Sequence, residues 1–444
     1  MARPRKNAAE VQDILLTPDE SAIIPVEEQP YPLPEGWKWV KGSSLLGPQE
    51  SQKPTGDFFY YIDIDAIDNK QQKVTSPKEI SVSKAPSRAS RKVHEGDTIF
   101  SLVRPYLRNI AYIDFSLSNC IASTGLYICT PLRCTNSRFL YWLMTSEYVV
   151  MGLNKFMKGD NSPSIRKDDI ENFPFPLPPL DDQQRIVDCI ESLFAKLDEA
   201  REKAEAVLDG FESRKAAILH KAFTGELTAK WREIRGIKKE DNTAKIKNIL
   251  SDIKYGTSEK SDYTYTGLPV IRIPNITGSI VDLEDLKFLK SSRSSDYDLV
   301  ERNDILMIRS NGSRELVGKC ALVDEAIVGK AYASFLIRLR PNPTINPKYL
   351  LGFLSSSLAR NQLFAKAKSS AGINNINSKE ICSVDIWLPD MEEQNEIVRI
   401  LDSLLATEQQ IKEVAENVLN QIDVMKKAIL TKAFRGELTR HIHN

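Results

Sequence analysis

The chain has 444 residues, with 60 Lys and Arg against 60 Asp and Glu, and a formal net charge of zero. That length exceeds one ordinary core and suits two to four domains, while the balanced charge excludes a protein that coats nucleic acid nonspecifically and leaves room for local basic grooves. Six cysteines with no Cys-x-x-Cys pair and only four histidines leave zinc and iron–sulfur centres without their usual ligands, so no metal site is expected.

Residues 1–32 read as a polar, proline-punctuated arm with one short helix around Ala9 to Leu16. Its basic start is followed by Asn7-Ala8-Ala9-Glu10 and not by an apolar stretch, so no secretory signal is expected. No run of 18 apolar residues occurs, so no membrane span is expected either, and a chain of this size needs no disulfide staples, which fits a reducing, cytoplasmic setting. From Leu33-Pro34-Glu35-Gly36-Trp37 to residue 177 the texture changes. Short apolar runs such as Phe58–Ile62 and Thr98–Val103 lie between Gly, Pro, Asn and Asp clusters, which predicts strands and turns, with one helix near Ser137 to Met151.

Residues 178–228 predict a long helix. Ile190, Leu197, Ala204, Phe211 and Ile218 recur every seven residues, and Ile186, Leu193, Ala200 and Val207 interleave at alternating three and four spacing. This is the pattern of a coiled-coil seam. A linker at 229–244 leads to residues 245–388, where Pro269–Ile273 and Asp304–Ile308 read as strands and Pro347 to Lys366 as helix. Residues 389–440 predict a second long helix, with Leu401, Ala415, Ile422 and Ile429 in one row and Ile397, Leu404, Ile411, Val418 and Met425 in the other. Glu408 alone interrupts the first row, and residues 441–444 form a tail.

The two helices are copies. Residues 178–228 align with 389–439 at a constant offset of 211, without a gap, and 23 of the 51 positions are identical. Lys221-Ala222-Phe223-Thr224-Gly225-Glu226-Leu227-Thr228 returns as Lys432-Ala433-Phe434-Arg435-Gly436-Glu437-Leu438-Thr439. Weaker echoes, such as Asp97–Phe100 with Asp304–Met307, link the two globular segments. The fold class expected is therefore α+β: two globular domains separated by two long antiparallel coiled-coil helices, with internal pseudo-twofold symmetry. About 40 helical residues make a rod of roughly 60 Å.

Two related but divergent modules held in inverted orientation suit the reading of two different half-sites on duplex DNA. At this point the chain resembles the specificity subunit of Type I restriction-modification enzymes. The residues that carry the resemblance are Leu33–Trp37, the Pro-Leu-x-x-Gln-x-x-Ile start of the first helix (Pro179 to Ile186), its degenerate copy around Gln394 and Ile397, and the duplicated Lys-Ala-Phe-x-Gly-Glu-Leu-Thr ends. Asn311-Gly312-Ser313, Val317–Cys320 and Ser355–Asn361 are similar to members of the family too. The resemblance implies a noncatalytic protein with two target-recognition domains that read a bipartite, asymmetric site on double-stranded DNA. It also implies two adenine N6-methylating modification subunits and ATP-dependent restriction subunits as partners. S-adenosylmethionine, ATP and Mg2+ would belong to those partners, with no cofactor in this chain.

Direct readout needs Arg, Lys, Asn or Gln on exposed loops. In the first module the candidate DNA contacts are Arg104, Tyr106, Arg108 and Asn109, joined by Lys155, Lys158, Asn161 and Arg166 around a Gly-Asp-Asn-Ser-Pro loop. In the second they are Arg309, Asn311, Ser313 and Arg314, joined by Lys366, Lys368, Asn374 and Asn375. A solvated hairpin tip is the plain alternative for each. On the helices Phe194, Leu208, Leu219, Phe223, Leu405, Leu419, Leu430 and Phe434 widen the apolar stripe, either for a modification subunit packing alongside or for the chain's own modules.

No catalytic residue is expected. The chain has no Asn-Pro-Pro-aromatic or Asp-Pro-Pro-Tyr methyltransferase signature, and Gly312 to Cys320 misses a P-loop by one residue of spacing and by a Cys in place of Ser or Thr. His441 and His443 lack companions that would make them a metal pair. An enzyme acting on DNA alone and a protein-only coiled-coil adaptor are the alternative readings; the second leaves the divergence of two equivalent modules unexplained.

Overall fold

A computed structural model describes residues 20–114, 119–366, 368–370 and 373–438. The chain folds into two mixed helix and strand units: Met1–Ala204 with Asn417–Asn444, and Glu205–Glu416. Each long helix is thus divided between units and does not form a body of its own. The first runs Leu180–Asp209, is interrupted at Gly210, and continues as Phe211–Phe223; the second is one helix, Met391–Phe434.

In the first unit β2 (Phe58–Ile62), β5 (Lys78–Ser81), β6 (Ala89–Lys92) and β9 (Cys120–Ser123) form a sheet in the order β5-β2-β9-β6. A second sheet is β10-β7-β8, built from β7 (Thr98–Ser101), β8 (Ile110–Tyr112) and β10 (Leu126–Cys129). Strand alternation sorts this sheet's side chains into two cores. Phe100, Tyr127 and Cys129 face the core that holds the helices, whereas Ile99, Leu126 and Ile128 face the other. Helices α1 (Ser137–Thr145) and α2 (Glu147–Asn154) begin at Asn136 and Ser146, whose side-chain oxygens accept from backbone N–H groups of the first turn.

The second unit repeats this plan. Strand β18 (Ile305–Ile308) lies between β20 (Cys320–Leu322) and β22 (Leu336–Pro341), with β13 (Leu250–Tyr255) beyond β22. Ile305 and Met307 face the helical core while Leu306 and Ile308 face the opposite one, so all four are buried. Helix α3 (Pro347–Ser355) begins at Asn346, which caps Lys348 and Tyr349 as Asn136 caps Arg138 and Phe139. Arg338, buried completely, bonds to Asp252 and Asp298 at 2.6 and 2.8 Å, which replaces the hydration these charges lose.

The duplicated helix motifs have structural roles. Gln183 is fully buried; its Oε1 accepts from Asn136 N at 2.7 Å and its Nε2 donates to the carbonyls of Cys134 and Pro178, both at 2.9 Å. Gln394 does the same in the other unit, accepting from Asn346 N at 2.8 Å and donating to Pro389 O at 2.9 Å and Thr344 O at 3.3 Å. The aromatic residue of each Lys-Ala-Phe end fills a module core: Phe434 stacks edge-on against Phe139 at 5.5 Å, and Phe223 against Tyr349 at 5.1 Å and Phe353 at 5.5 Å.

Within each unit the helix segments run antiparallel. In the first, Arg201 pairs with Asp423 and Lys426 with Asp198, so a step forward on one helix matches a step back on the other. In the second, Glu408 meets Arg214 at 2.8 Å, and Arg214 also donates to Val207 O at 3.0 Å. The interruption in the apolar row is therefore a satisfied ion pair. A Cβ at Gly210 would lie 2.4 Å from Arg214 Nη1, so the glycine at the helix break leaves room for that guanidinium.

The arm differs from expectation at its C-terminal end. Ile23 bridges to Val40, Ile24 is buried and its N–H donates to Trp39 O at 2.9 Å, and Tyr31 packs on Trp39 and Tyr148 while its hydroxyl donates to Phe434 O at 3.0 Å. Pro34 lies where a Cβ on Gly436 would fall, 2.1 Å away, so this stretch clasps the end of the second long helix. The expected helix at Ala9 to Leu16 lies outside the described residues, as does the 441–444 tail with its two histidines.

Gln183→Ala removes three hydrogen bonds and leaves buried groups unpaired, at a cost of about 1–3 kcal/mol. A urea titration is expected to show a lower midpoint for this variant, and a smaller loss for Gln184→Ala, whose side chain lies on the surface.

Candidate nucleic-acid interface

In the first unit the chain leaves β7 and enters a one-turn helix, Pro105–Leu107, bracketed by Arg104 at φ 48° and Arg108 at φ 55°. Left-handed backbone costs an L-residue about 1–2 kcal/mol. Such strain persists only where the surroundings enforce it, and it concentrates at functional loops. The enforcing contacts are visible. Arg104 N donates to Pro163 O at 2.8 Å and its Nη2 to Asn161 O at 2.7 Å, while Ile165 N donates to Leu102 O at 2.9 Å. The 155–166 loop is thereby strapped to the 102–108 loop, and Lys158 and Ser164 exchange backbone bonds of 3.0 Å across its own neck. Gly159, at φ 100°, makes the turn that this neck requires.

The two candidate segments are therefore brought together, and Arg104, Tyr106, Lys155, Lys158, Asn161 and Arg166 are exposed on them. Exposed Leu107 and Phe156 join Tyr106 on this surface. Two expectations are corrected. Asn109 is only 8% exposed, because Ser101 N bonds its carbonyl and draws it into the sheet. Arg108 is half-buried and turned inward, donating to Thr145 O at 2.8 Å and pairing with Glu147 at 2.6 Å.

The second unit uses the same strap with different chemistry. Beyond β18, β19 (Ser310–Asn311) pairs with β24 (Ile373–Asn375), setting Ser310 opposite Asn375 and Asn311 opposite Asn374. Asn374 Nδ2 donates to Gly312 O at 3.3 Å, and Ser313 N donates to Asn311 Oδ1 at 2.8 Å. Ser313, Arg314 and Asn375 are exposed, whereas Asn311 and Asn374 are half-buried. Arg314 lies 4.9 Å over the Phe364 ring and Arg309 4.7 Å over the Tyr255 ring, contacts that fix guanidinium planes at the surface. The side chains of Lys366 and Lys368 lie outside the described residues.

A cleft beside this loop was missed in the sequence. It is lined by Thr257–Ser261, Arg272–Pro274 and Ala333–Phe335, and Arg309 forms its edge by bonding to Phe335 O and Ser334 O. Phe335 is 57% exposed. No local motif marks it, because the lining comes from three distant segments. Among the described residues no cluster of three or more His, Cys, Asp or Glu is placed to hold a metal ion, and no helix is long and apolar enough to cross a membrane. Burial pushes the Cys120 thiol up to about 11 and those of Cys129 and Cys320 higher, so these thiols are protonated at neutral pH and poor nucleophiles.

On the helices, five of the eight residues offered to a partner are spent inside the chain. Phe194, Leu430 and Phe434 belong to the first unit's core, and Leu219 and Phe223 to the second's. Leu208, Leu405 and Leu419 are half-buried. The seam is also narrower than expected: Leu401, Ala415 and Ile422 are buried, but Leu404, Ile411 and Met425 of the other row are exposed, as are Val414 and Val424.

Two mixed α/β modules of one plan, each with a strapped pair of polar loops and each closed by the same helix motifs, define a duplicated two-module protein. Residues 48–207 and 242–418 match the family model described as the Type I restriction modification DNA specificity domain, and the chain belongs to that family. It is 30% identical over 311 residues to the Type I restriction enzyme EcoKI specificity subunit of Escherichia coli (strain K12), covering 70% of this chain and 67% of that protein. The StySPI specificity subunit of Salmonella potsdam is 26% identical over 312 residues, with the same shares of the two chains. Among solved structures, the HsdS subunit from Thermoanaerobacter tengcongensis superposes with TM-score 0.68 and 27% identity over 93% of this chain and 100% of that one. A chain from work on complex assembly and conformational transition of the type I R-M system gives TM-score 0.73 and 28% identity over 92% and 100%.

Arg108→Ala is expected to lower the thermal midpoint, because it strips the contacts that hold a left-handed residue, whereas Tyr106→Ala changes stability by no more than about 0.5 kcal/mol. Differential scanning calorimetry of the two variants separates the structural residue from the exposed one.

Proposed function

We propose that this chain is the DNA specificity subunit of a Type I restriction-modification complex, reading a bipartite, asymmetric duplex site with one module per half. The observation that carries this reading is that the two modules keep the same strapped loop pair in the same topological place while its chemistry diverges: Arg104 and Lys155–Arg166 in one, Arg309–Arg314 and Asn374–Asn375 in the other. A common frame with different surface donors is what two different base sequences demand. The long helices act as an antiparallel coiled-coil spacer under internal pseudo-twofold symmetry, which sets the gap between half-sites. The antiparallel ion pairs within each unit support that role.

The chain is noncatalytic in this reading. Two adenine N6-methyltransferase modification subunits bind it, restriction subunits join them, and S-adenosylmethionine, ATP and Mg2+ are held by those partners. The complex works in the cytoplasm, where its DNA is. The exposed helix residues Leu404, Ile411 and Val414 supply an apolar strip for a modification subunit, in place of the buried residues named from the sequence.

Expression with the cognate modification subunit in a methylation-free host, followed by genome-wide mapping of modified adenines, is expected to yield a split motif. Exchange of residues 245–388 for those of a relative changes one half only. Absence of adenine methylation from a confirmed complex would overturn the reading. Separately, Ile411→Asp is expected to reduce co-purification of the modification subunit at least tenfold while leaving the thermal midpoint of the isolated chain unchanged.

A further inference from the structure

The first unit contains a second protruding element that the strapped loops do not include. Strands β3 (Ile67–Asp68) and β4 (Lys73–Val74) form a hairpin whose root is anchored: Ile67 is buried in the core and Val74 packs against it. Its tip is Asn69-Lys70-Gln71-Gln72. The Asp68 carboxylate accepts from Lys70 N at 2.8 Å and Gln71 N at 2.9 Å, and Gln72 turns the chain back at φ 53°. Those backbone bonds hold the Asp68 carboxyl below the usual carboxylate range, so the turn is set at neutral pH. Asn69 Nδ2 donates to Leu107 O at 2.9 Å and ties the tip to the exposed Tyr106–Leu107 turn. Asn69, Lys70, Gln71 and Lys73 are all exposed.

The second unit has the same hairpin without this tip. After the one-turn helix Ile273–Asn275, which corresponds to Ile64–Ala66, strands β15 (Ile276–Thr277) and β16 (Ile280–Val281) are joined by Gly278-Ser279 alone. Ser279 O accepts from Leu322 N at 3.1 Å, which holds that turn against its own sheet. The hairpins therefore differ by two extra residues and by a tip that offers two glutamines and a lysine in one unit and none in the other. A packing role does not call for long polar side chains pointing to solvent on a rigid turn. A two-stranded ribbon fits the major groove, where Gln reads adenine through N6 and N7.

We propose that the Asn69–Gln72 tip is a base-reading element of the first module, entering the major groove beside the Tyr106 turn with Gln71 discriminating a base of that module's half-site. The inference rests on the DNA-specificity reading. Methylation mapping of the complete modification complex tests it with Gln71→Ala, Gln71→Glu and replacement of Asn69–Gln72 by Gly-Ser, the turn the second unit already uses. The expected result is a loss of discrimination, roughly 10- to 100-fold, at a base pair in the half-motif that exchange of residues 245–388 leaves untouched. Gln71→Glu shifts the preferred base there, and the other half-motif stays as it was. Unchanged specificity in all three, with Arg104→Ala still relaxing that half, overturns the inference and leaves the specificity reading standing. A uniform fall in methylation with unaltered sequence preference also overturns it, since that is the signature of a phosphate contact. Failure of substitutions in both modules to alter the motif overturns the specificity reading itself.

Discussion

The burial of one aromatic side chain at the end of each long helix organises the molecule. Phe434 completes the core around Phe139, and Phe223 completes the core around Tyr349 and Phe353. Loss of a buried aromatic of this kind costs about 3–5 kcal/mol, a large part of a domain's net stability. Each core also takes the opening turns of a long helix, with Ile186 and Ile190 in one unit and Ile397 and Leu401 in the other, latched by Gln183 or Gln394. Neither module's core is complete within its own stretch of sequence. This explains why the helix copies still match at 23 of 51 positions while the modules retain only echoes of one another. The helices must satisfy buried volume and hydrogen bonds, whereas the exposed loops are free to change.

That division frees the exposed loops chemically. Backbone bonds strap the 102–108 and 155–166 loops in one unit, and a short β-ladder straps 309–314 to 373–375 in the other. Because the straps rest chiefly on main-chain groups, with Arg104 Nη2 and Asn374 Nδ2 each adding one bond, most side chains can differ without loss of the frame. One module accordingly presents Arg104, Tyr106 and basic side chains of a strapped turn, and the other presents Arg309 and Arg314 braced on aromatic rings.

Sequence reasoning chose the candidate loops through their position after a strand, and the fold turns two of their residues inward for identifiable reasons. Asn109 and Arg108 sit in the same polar cluster as Arg104, but only the sheet hydrogen bond of Asn109 and the Thr145 and Glu147 partners of Arg108 turn them inward. A cluster of polar letters carries no record of such distant partners. The cleft at Phe335 and the hairpin at Asn69–Gln72 were overlooked for the opposite reason: each gains meaning only from neighbours far along the chain.

The sequence by itself determined the duplication, the two long helical stretches though not the break at Gly210, the apolar runs that make the buried strands and the membership of the family. The helices and strands follow from local spacing, since their periods are properties of consecutive residues, and the duplication and the family follow from motifs that recur at a constant offset. Tertiary structure alone decided what covers each apolar face. A heptad row records that a side is apolar but not which surface lies against it, so Phe194, Phe223, Leu430 and Phe434 could be assigned to a partner while the fold buries them in the chain's own cores, and Leu404 and Ile411 could be assigned to the seam while the fold leaves them in solvent.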